Sequence, residues 1–183
     1  MEESILLWVQ EFLRNPILNP VMVLITMLGN GGFIWIIISA GLLIPKKTRR
    51  VGLICAISLL LMHFSIDDLI KPLIGRVRPY EAIDALQALV PPPEGTSFPS
   101  GHTASSFAVA VVLFRNVKKK ISIWPMMLAI FISLSRIYVG VHYPTDVIGG
   151  VIGGIICAYL AQFLYESLEK WHRRRSENEF AAS

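Results

Sequence analysis

The stretch Ser97 to Lys120, SFPSGHTASSFAVAVVLFRNVKKK, decides how the rest of the chain is read. Residues 102 to 117 form an apolar run with no formal charge before Arg115, and Arg115, Lys118, Lys119 and Lys120 close its end. An apolar run that ends in a basic cluster reads as a membrane helix whose basic end lies in the cytoplasm. The Pro99-Ser100-Gly101-His102 turn, rich in hydroxyls and donors, then stands at the opposite lip of the bilayer.

Composition supports the same reading for the whole chain. Of 183 residues, 54% are hydrophobic and 16% charged, and the mean hydropathy is +0.57. That is too apolar for an ordinary soluble domain and points to an integral membrane protein. The length suits one domain, residues 1–183, with an all-α fold: a polytopic bundle of about six membrane helices. Candidate spans lie at roughly 17–29, 31–45, 51–71, 102–117, 121–140 and 144–168. Glu2 and Glu3 stand where a cleavable leader carries basic residues, so the first helix is expected to stay. Residues 3–14 place Ile5, Leu6, Trp8, Val9, Phe12 and Leu13 largely on one face, the pattern of an amphipathic helix in the membrane interface. Cys55 and Cys157 lie inside apolar runs and read as small packed residues rather than a disulfide. The long connection is 72–101, and its middle, AIDALQALV, has the pattern of a short surface helix.

Three basic clusters set the orientation. They are Lys46, Lys47, Arg49 and Arg50; Arg115 and Lys118 to Lys120; and Lys170 with Arg173 to Arg175. A six-span chain with both ends inside puts all three in the cytoplasm, and a five-span chain starting outside does so too. Of the 17 Lys and Arg, the three clusters and Arg14 account for 13, and the other four, Lys71, Arg76, Arg78 and Arg136, lie at the outer ends of helices or just beyond. Positive charge on the side the topology rule disfavours is informative, since snorkelling anchors alone do not require it.

Three short blocks meet at that outer face: Lys71 to Pro79, Pro99 to His102, and Ser135 to Asp146. Forked guanidinium donors and an ammonium suit a phosphate or carboxylate. The start of the helix at Ser100-Gly101-His102 adds free backbone N–H groups, with Gly101 allowing close approach and Ser100 able to donate to the anion or to cap the helix. His142 and Asp146 stand four apart across a helix start. The carboxylate can hold one ring nitrogen and leave the other free to attack, while His102 is placed as a general acid. Two histidines and an aspartate are also a zinc-ligand set, but three neighbouring cations oppose a dication. The combination describes a phosphoryl-transfer site.

The pattern Lys-x6-Arg-Pro, Pro-Ser-Gly-His and Ser-Arg-x5-His-x3-Asp resembles the signature of the type-2 phosphatidic acid phosphatase superfamily, which also includes vanadium haloperoxidases. It matches at Lys71, Arg78 and Pro79; at Pro99 to His102; and at Ser135, Arg136, His142 and Asp146, spanning residues 71–146. The resemblance implies metal-independent hydrolysis without a cofactor at an extracytoplasmic site. His142 is the implied nucleophile, passing through a phosphohistidine, with Asp146 orienting it and His102 protonating the leaving group. Lys71, Arg78, Ser100, the Gly101 backbone and Arg136 hold the phosphate.

The expected enzyme is a bacterial plasma-membrane lipid phosphatase with a cytoplasmic C-terminus. Undecaprenyl diphosphate is its first-choice substrate, phosphatidylglycerophosphate the second, and phosphatidic acid or diacylglycerol diphosphate the third. The implied partners are the lipid substrate and the membrane, with no nucleic acid and no obligate protein. An anionic-lipid translocator without hydrolysis is the competing class. It needs cations along a path through the bilayer, whereas these gather at one rim. Haloperoxidase chemistry requires vanadate and fits the membrane setting poorly.

Other residues carry weaker expectations. Asp67 is placed to pair with Lys71, four residues on. His63 reads as an interhelical hydrogen-bonding residue and His172 as a solvated one. Gly149, Gly150, Gly153 and Gly154 read as a helix-packing stripe. The basic tail reads as topogenic, with affinity for anionic lipid heads.

Overall fold

A computed structural model describes residues 1–181, with side chains described through Glu179. All regular structure among the described residues is helical. Helix α1 (Glu2–Trp8) widens into a π-helical turn, Val9–Leu13, and is followed by α2 (Leu18–Leu28) and α3 (Phe33–Leu43). Helix α4 (Arg49–Met62) runs through a π-helical stretch, His63–Ile70, into α5 (Lys71–Ile74). The single turn α6 (Pro79–Ala82), then α7 (Gly101–Asn116), α8 (Lys119–Tyr138) and α9 (Pro144–Ala181) complete the chain.

Helix α7 is the central post. Thr103, Ala104, Ser105, Ser106, Ala108, Val109, Ala110, Val112 and Leu113 are all buried, so it is surrounded rather than one-sided. Small side chains permit this, because they let neighbouring backbones approach closely. Helix α9 answers with the glycine stripe. A Cβ on Gly154 would stand 2.5 Å from the Ala104 carbonyl oxygen, one on Gly150 2.7 Å from that of Ser100, and one on Gly153 2.5 Å from Ile66 Cδ1. The stripe therefore packs inside the bundle, as its spacing suggested. Trp35, Ile54, Cys55, Ile132, Ala158 and Ala161 fill the centre, and both cysteines are buried free thiols. Large apolar residues face outward instead: Trp124, Phe131 and Leu134 on α8, and Ile152, Ile156 and Phe163 on α9. An exposed apolar belt around a core of small residues is the pattern of a protein whose solvent is lipid.

The six expected spans do not appear as six long helices. Three helical stretches, Arg49–Ala82, Lys119–Tyr138 and Pro144–Glu179, are long and apolar enough to cross a membrane. The runs expected at 17–29 and 31–45 form α2 and α3, each 11 residues and about 16 Å long, roughly half a hydrocarbon core. They qualify only as a pair, bent by 48° at Gly29–Gly32. Gly31 and Gly32 take left-handed φ values of 56° and 69°, which glycine adopts without steric cost. Helix α7, at 16 residues, is about 24 Å long and shielded by its neighbours.

The surface helix expected over AIDALQALV does not form, since α6 ends at Ala82. Ile83 and Leu86 turn inward against Leu6 of α1, and the Gln10 side chain donates to the Ala85 carbonyl and accepts from the Gln87 N–H. Those bonds satisfy backbone groups that a helix would otherwise have paired. The apolar residues of α1 and the turn after it divide: Leu6 and Val9 are buried against the protein, while Ile5, Trp8 and Phe12 remain exposed.

Candidate active site

The start of α7, the end of α8, the start of α9 and the α5–α7 connection meet at one end of the bundle. Six of the residues singled out in the sequence, Lys71, Arg78, Gly101, His102, Arg136 and His142, line one cavity of about 760 Å³. Ser100 and Asp146 lie fully buried beside it.

His142 sits in the turn between α8 and α9 and is 2% exposed. Its Nδ1 faces Asp146 Oδ2 at 3.4 Å, and its Nε2 faces Arg78 Nη1, also at 3.4 Å. A carboxylate can only accept, so Nδ1 carries the proton and Nε2 keeps its lone pair toward the cavity. Burial pushes the imidazole pKa down to about 4, against the opposing pull of Asp146 and with the help of Arg136 and Arg78. At neutral pH this ring is uncharged.

Asp146 is wired more extensively than its spacing from His142 indicated. Oδ2 accepts the Ser97 hydroxyl at 2.5 Å and the Tyr143 N–H at 2.8 Å, and Oδ1 accepts Arg76 Nη1 at 2.6 Å. Ser97 and Arg76 are additions to the site. Arg76 was conspicuous in the sequence as an outward cation, but no motif marks Ser97.

The cations are held individually. Arg78 is pinned by three carbonyls, with Nε on Gly95 at 2.9 Å, Nη2 on Glu94 at 3.1 Å and Nη1 on Val141 at 3.2 Å. Arg136 donates through Nη1 to Thr26 Oγ1 at 2.6 Å, and its buried Nε has no partner. Lys71 pairs with Asp67 at 2.5 Å, as the four-residue spacing anticipated. A Cβ at Gly101 would lie 3.0 Å from Lys71 Nζ, so glycine there leaves room for the ammonium beside the helix start. Ser100 makes no side-chain cap. Its Oγ accepts from Thr103 Oγ1 at 3.2 Å, which leaves its own proton available.

His102 Nε2 lies 2.9 Å from Asn30 Oδ1, and a Cβ on Gly29 would come within 2.8 Å of the same ring. The break between α2 and α3 therefore docks on His102, which the sequence reading missed. His63 departs from expectation as well. It is exposed and faces Asp67 and Asp68 of its own helical stretch at 3.4 and 3.9 Å, where an interhelical bond was anticipated. Below the polar end the cavity is apolar, with Ile36, Ala40 and Leu43 of α3 opposite Ala56, Leu59 and Leu60 of α4. This arrangement can hold a phosphate at its top and a hydrocarbon chain along its wall.

The family model of the PAP2 superfamily matches residues 47–169, a range that contains every cavity-lining residue the sequence had singled out. The chain belongs to the PAP2 superfamily. Members are hydrolases acting on phosphate esters, and this PAP2 protein is a membrane phosphatase of that kind. It is 34% identical over 144 residues to an undecaprenyl-diphosphatase of Sulfolobus acidocaldarius, covering 79% of this chain and 69% of that protein. It is 32% identical over 179 residues to phosphatidylglycerophosphatase B of Bacillus subtilis, covering 88% and 82%. The crystal structure of Aquifex aeolicus LpxE superposes with a TM-score of 0.73 at 30% identity, covering 81% of this chain and 87% of that one. Glu2, Thr26 and Asn30 lie before the family match, so the first three helices of this PAP2 phosphatase add contacts that its signature does not contain.

Proposed function

We propose that the protein hydrolyses a lipid phosphate or diphosphate at the extracytoplasmic face of a membrane, with undecaprenyl diphosphate as its substrate. The observation that carries the chemistry is the orientation of His142: Nδ1 toward the buried Asp146 carboxylate, Nε2 toward Arg78 and the cavity. In this reading Lys71, Arg78, Arg136, the Ser100 hydroxyl and the Gly101 N–H hold the terminal phosphate. The Nε2 lone pair of His142 attacks phosphorus, and the bond to the leaving oxygen breaks as His102 donates a proton to it. Asp146 stabilises the positive imidazole of the phosphohistidine. Water, deprotonated by His102, then releases inorganic phosphate and restores both histidines. The apolar wall between α3 and α4 favours a long hydrocarbon chain over a soluble ester. The undecaprenyl-diphosphatase likeness supports the diphosphate, and the phosphatidylglycerophosphatase likeness makes the glycerolipid the second candidate.

For topology we infer a single domain with five crossings, the bent α2–α3 pair counting as one. Glu2 lies beside Arg76 and Thr145 at the active-site end, whereas Arg50 pairs with Glu166 and Glu169 at the other. With the basic clusters in the cytoplasm, the N-terminus and the active site face outward and the C-terminus inward. This is the five-span solution, with α1 resting on the outer interface.

The test is phosphate release from undecaprenyl diphosphate in detergent with excess EDTA, wild type beside His142→Ala, with an alkaline denaturing quench to trap the phosphoenzyme and its loss in acid to identify it. Release and a trapped phosphoenzyme in wild type, both lost in the variant, are expected. Undiminished release by folded His142→Ala rules out the nucleophile, and release from phosphatidylglycerophosphate alone reverses the substrate order.

A further inference from the structure

Helix α1 reaches the catalytic carboxylate. Glu2 Oε1 accepts the Thr145 N–H at 3.0 Å and the Thr145 hydroxyl at 2.6 Å, and Glu2 Oε2 accepts Arg76 Nη2 at 2.7 Å. Arg76 then donates through Nη1 to Thr145 Oγ1 at 2.7 Å and to Asp146 Oδ1 at 2.6 Å, and its guanidinium lies 4.0 Å from the centroid of the Tyr143 ring. The chain of contacts is continuous from Glu2 through Arg76 and Asp146 to His142. Its members are shielded in steps, with Glu2 31%, Arg76 28% and Asp146 0% exposed, so the charges act through protein as much as through water.

Charge explains why such a chain is useful. Asp146 must offer net negative charge to the imidazole that becomes positive when Nε2 bonds to phosphorus. An arginine on Oδ1 by itself cancels that charge. Glu2 sits on the far side of Arg76 and returns the trio to a net charge of −1, so the guanidinium can fix the carboxylate without neutralising it. The same carboxylate takes the Thr145 N–H in the first turn of α9, the helix that carries Asp146, where a negative charge also suits the helix dipole.

We propose that Glu2 is a positioning residue for the chemical step: acting through Arg76, it fixes the Asp146 carboxylate and keeps it electrostatically competent behind His142. Helix α1 is then part of the active-site structure as well as a surface helix. The inference rests on the phosphohistidine reading above.

The experiment uses the full chain in detergent with undecaprenyl diphosphate and compares Glu2→Gln, Arg76→Gln, the double variant and His142→Ala, with rates taken per folded molecule. Glu2→Gln keeps the size and hydrogen-bonding ends of the side chain and removes its charge. It is expected to lower kcat about 10-fold, the scale of lost outer-shell support at an active site. KM and inhibition by inorganic phosphate stay within about twofold, because no phosphate-holding side chain is touched. In the Arg76→Gln background the same change costs less than about twofold, since Glu2 then has no guanidinium to act through. Glu2→Asp keeps the charge and withdraws it by one methylene; it serves where Glu2→Gln does not fold, and a lowered kcat at unchanged KM is again expected. Unchanged kcat, a change confined to KM, or an equal loss in both backgrounds overturns the proposal, the last because α1 would then be docking independently of Arg76. If His142→Ala is inert while Glu2→Gln is fully active, this inference alone fails. If His142→Ala is active, the phosphohistidine reading fails whatever Glu2 does.

Discussion

Gly150→Ala places a single methyl group between the two helices that carry the site. The added Cβ would lie 2.7 Å from the Ser100 carbonyl oxygen and 2.8 Å from Thr103 Cβ, whereas ordinary contact begins at 3.4 Å. Relief at the oxygen requires a movement of 3.4 − 2.7 = 0.7 Å. The obstacle is backbone, so no side chain can swing aside. Helix α9 carries Asp146 and the start of α7 carries Ser100, Gly101 and His102, so the movement separates the His142–Asp146 pair from the turn proposed to hold the phosphate. Overpacking of this kind costs about 1–3 kcal/mol of stability. Displacements near 1 Å at a reacting centre cost on the order of 100-fold in rate, so kcat is expected to fall roughly 10- to 100-fold. The assay is phosphate release together with thermal unfolding in the same detergent. Gly41→Ala on α3 is the control, because a Cβ there meets nothing within 4 Å. Wild-type melting temperature and wild-type kcat in Gly150→Ala would refute the claim that the glycine stripe sets the active-site geometry.

Three further outcomes follow from particular contacts. His142 takes its proton near pH 4 in the folded chain, below the ordinary histidine value of 6.5. The stability gained by keeping it neutral is therefore complete above pH 6.5 and is lost as the pH falls toward 4. Histidine-selective 15N NMR should show an imidazole, assigned to His142 by its loss in His142→Ala, that stays neutral well below pH 6, and its absence counts against the buried assignment. Asn30→Ala removes the acceptor on His102 Nε2 and should lower kcat about 10-fold with little change in melting temperature. An unchanged kcat would show that the α2–α3 break does not orient His102 for the reaction. A cysteine at exposed Ser4 should react with a membrane-impermeant maleimide applied to intact cells, while one at exposed Ser176 should react only after permeabilisation; the converse pattern inverts the topology.

The membrane setting, the helical class and many of the residues that line the cavity are legible in the sequence alone. Apolar runs, basic clusters and three spaced blocks are local signals, each readable within a few residues. Hence Lys71, Arg78, Gly101, His102, Arg136 and His142 all stand out in the sequence, and they line one cavity. The pairing of Asp67 with Lys71 was legible for the same reason, since four residues along a helix bring side chains to one face.

The other contacts join residues that no short-range pattern connects. Glu2 and Thr145 are 143 positions apart, His102 and Asn30 are 72 apart, and Ser97 and Asp146 are 49 apart. The number of crossings depended on whether Gly29–Gly32 turns the chain back or merely bends it, and composition is the same in both cases. Helix α2 packs against α8 and α3 against α4, with an angle of 48° between α2 and α3. The segment AIDALQALV has helical periodicity, but Gln10, in the turn after α1, and Leu6 of α1 offer its backbone and its apolar side chains better partners than a helix of its own. Local patterns fix which residues are available for chemistry. Which of them share a hydrogen bond is settled when distant helices compete for the same buried carboxylate.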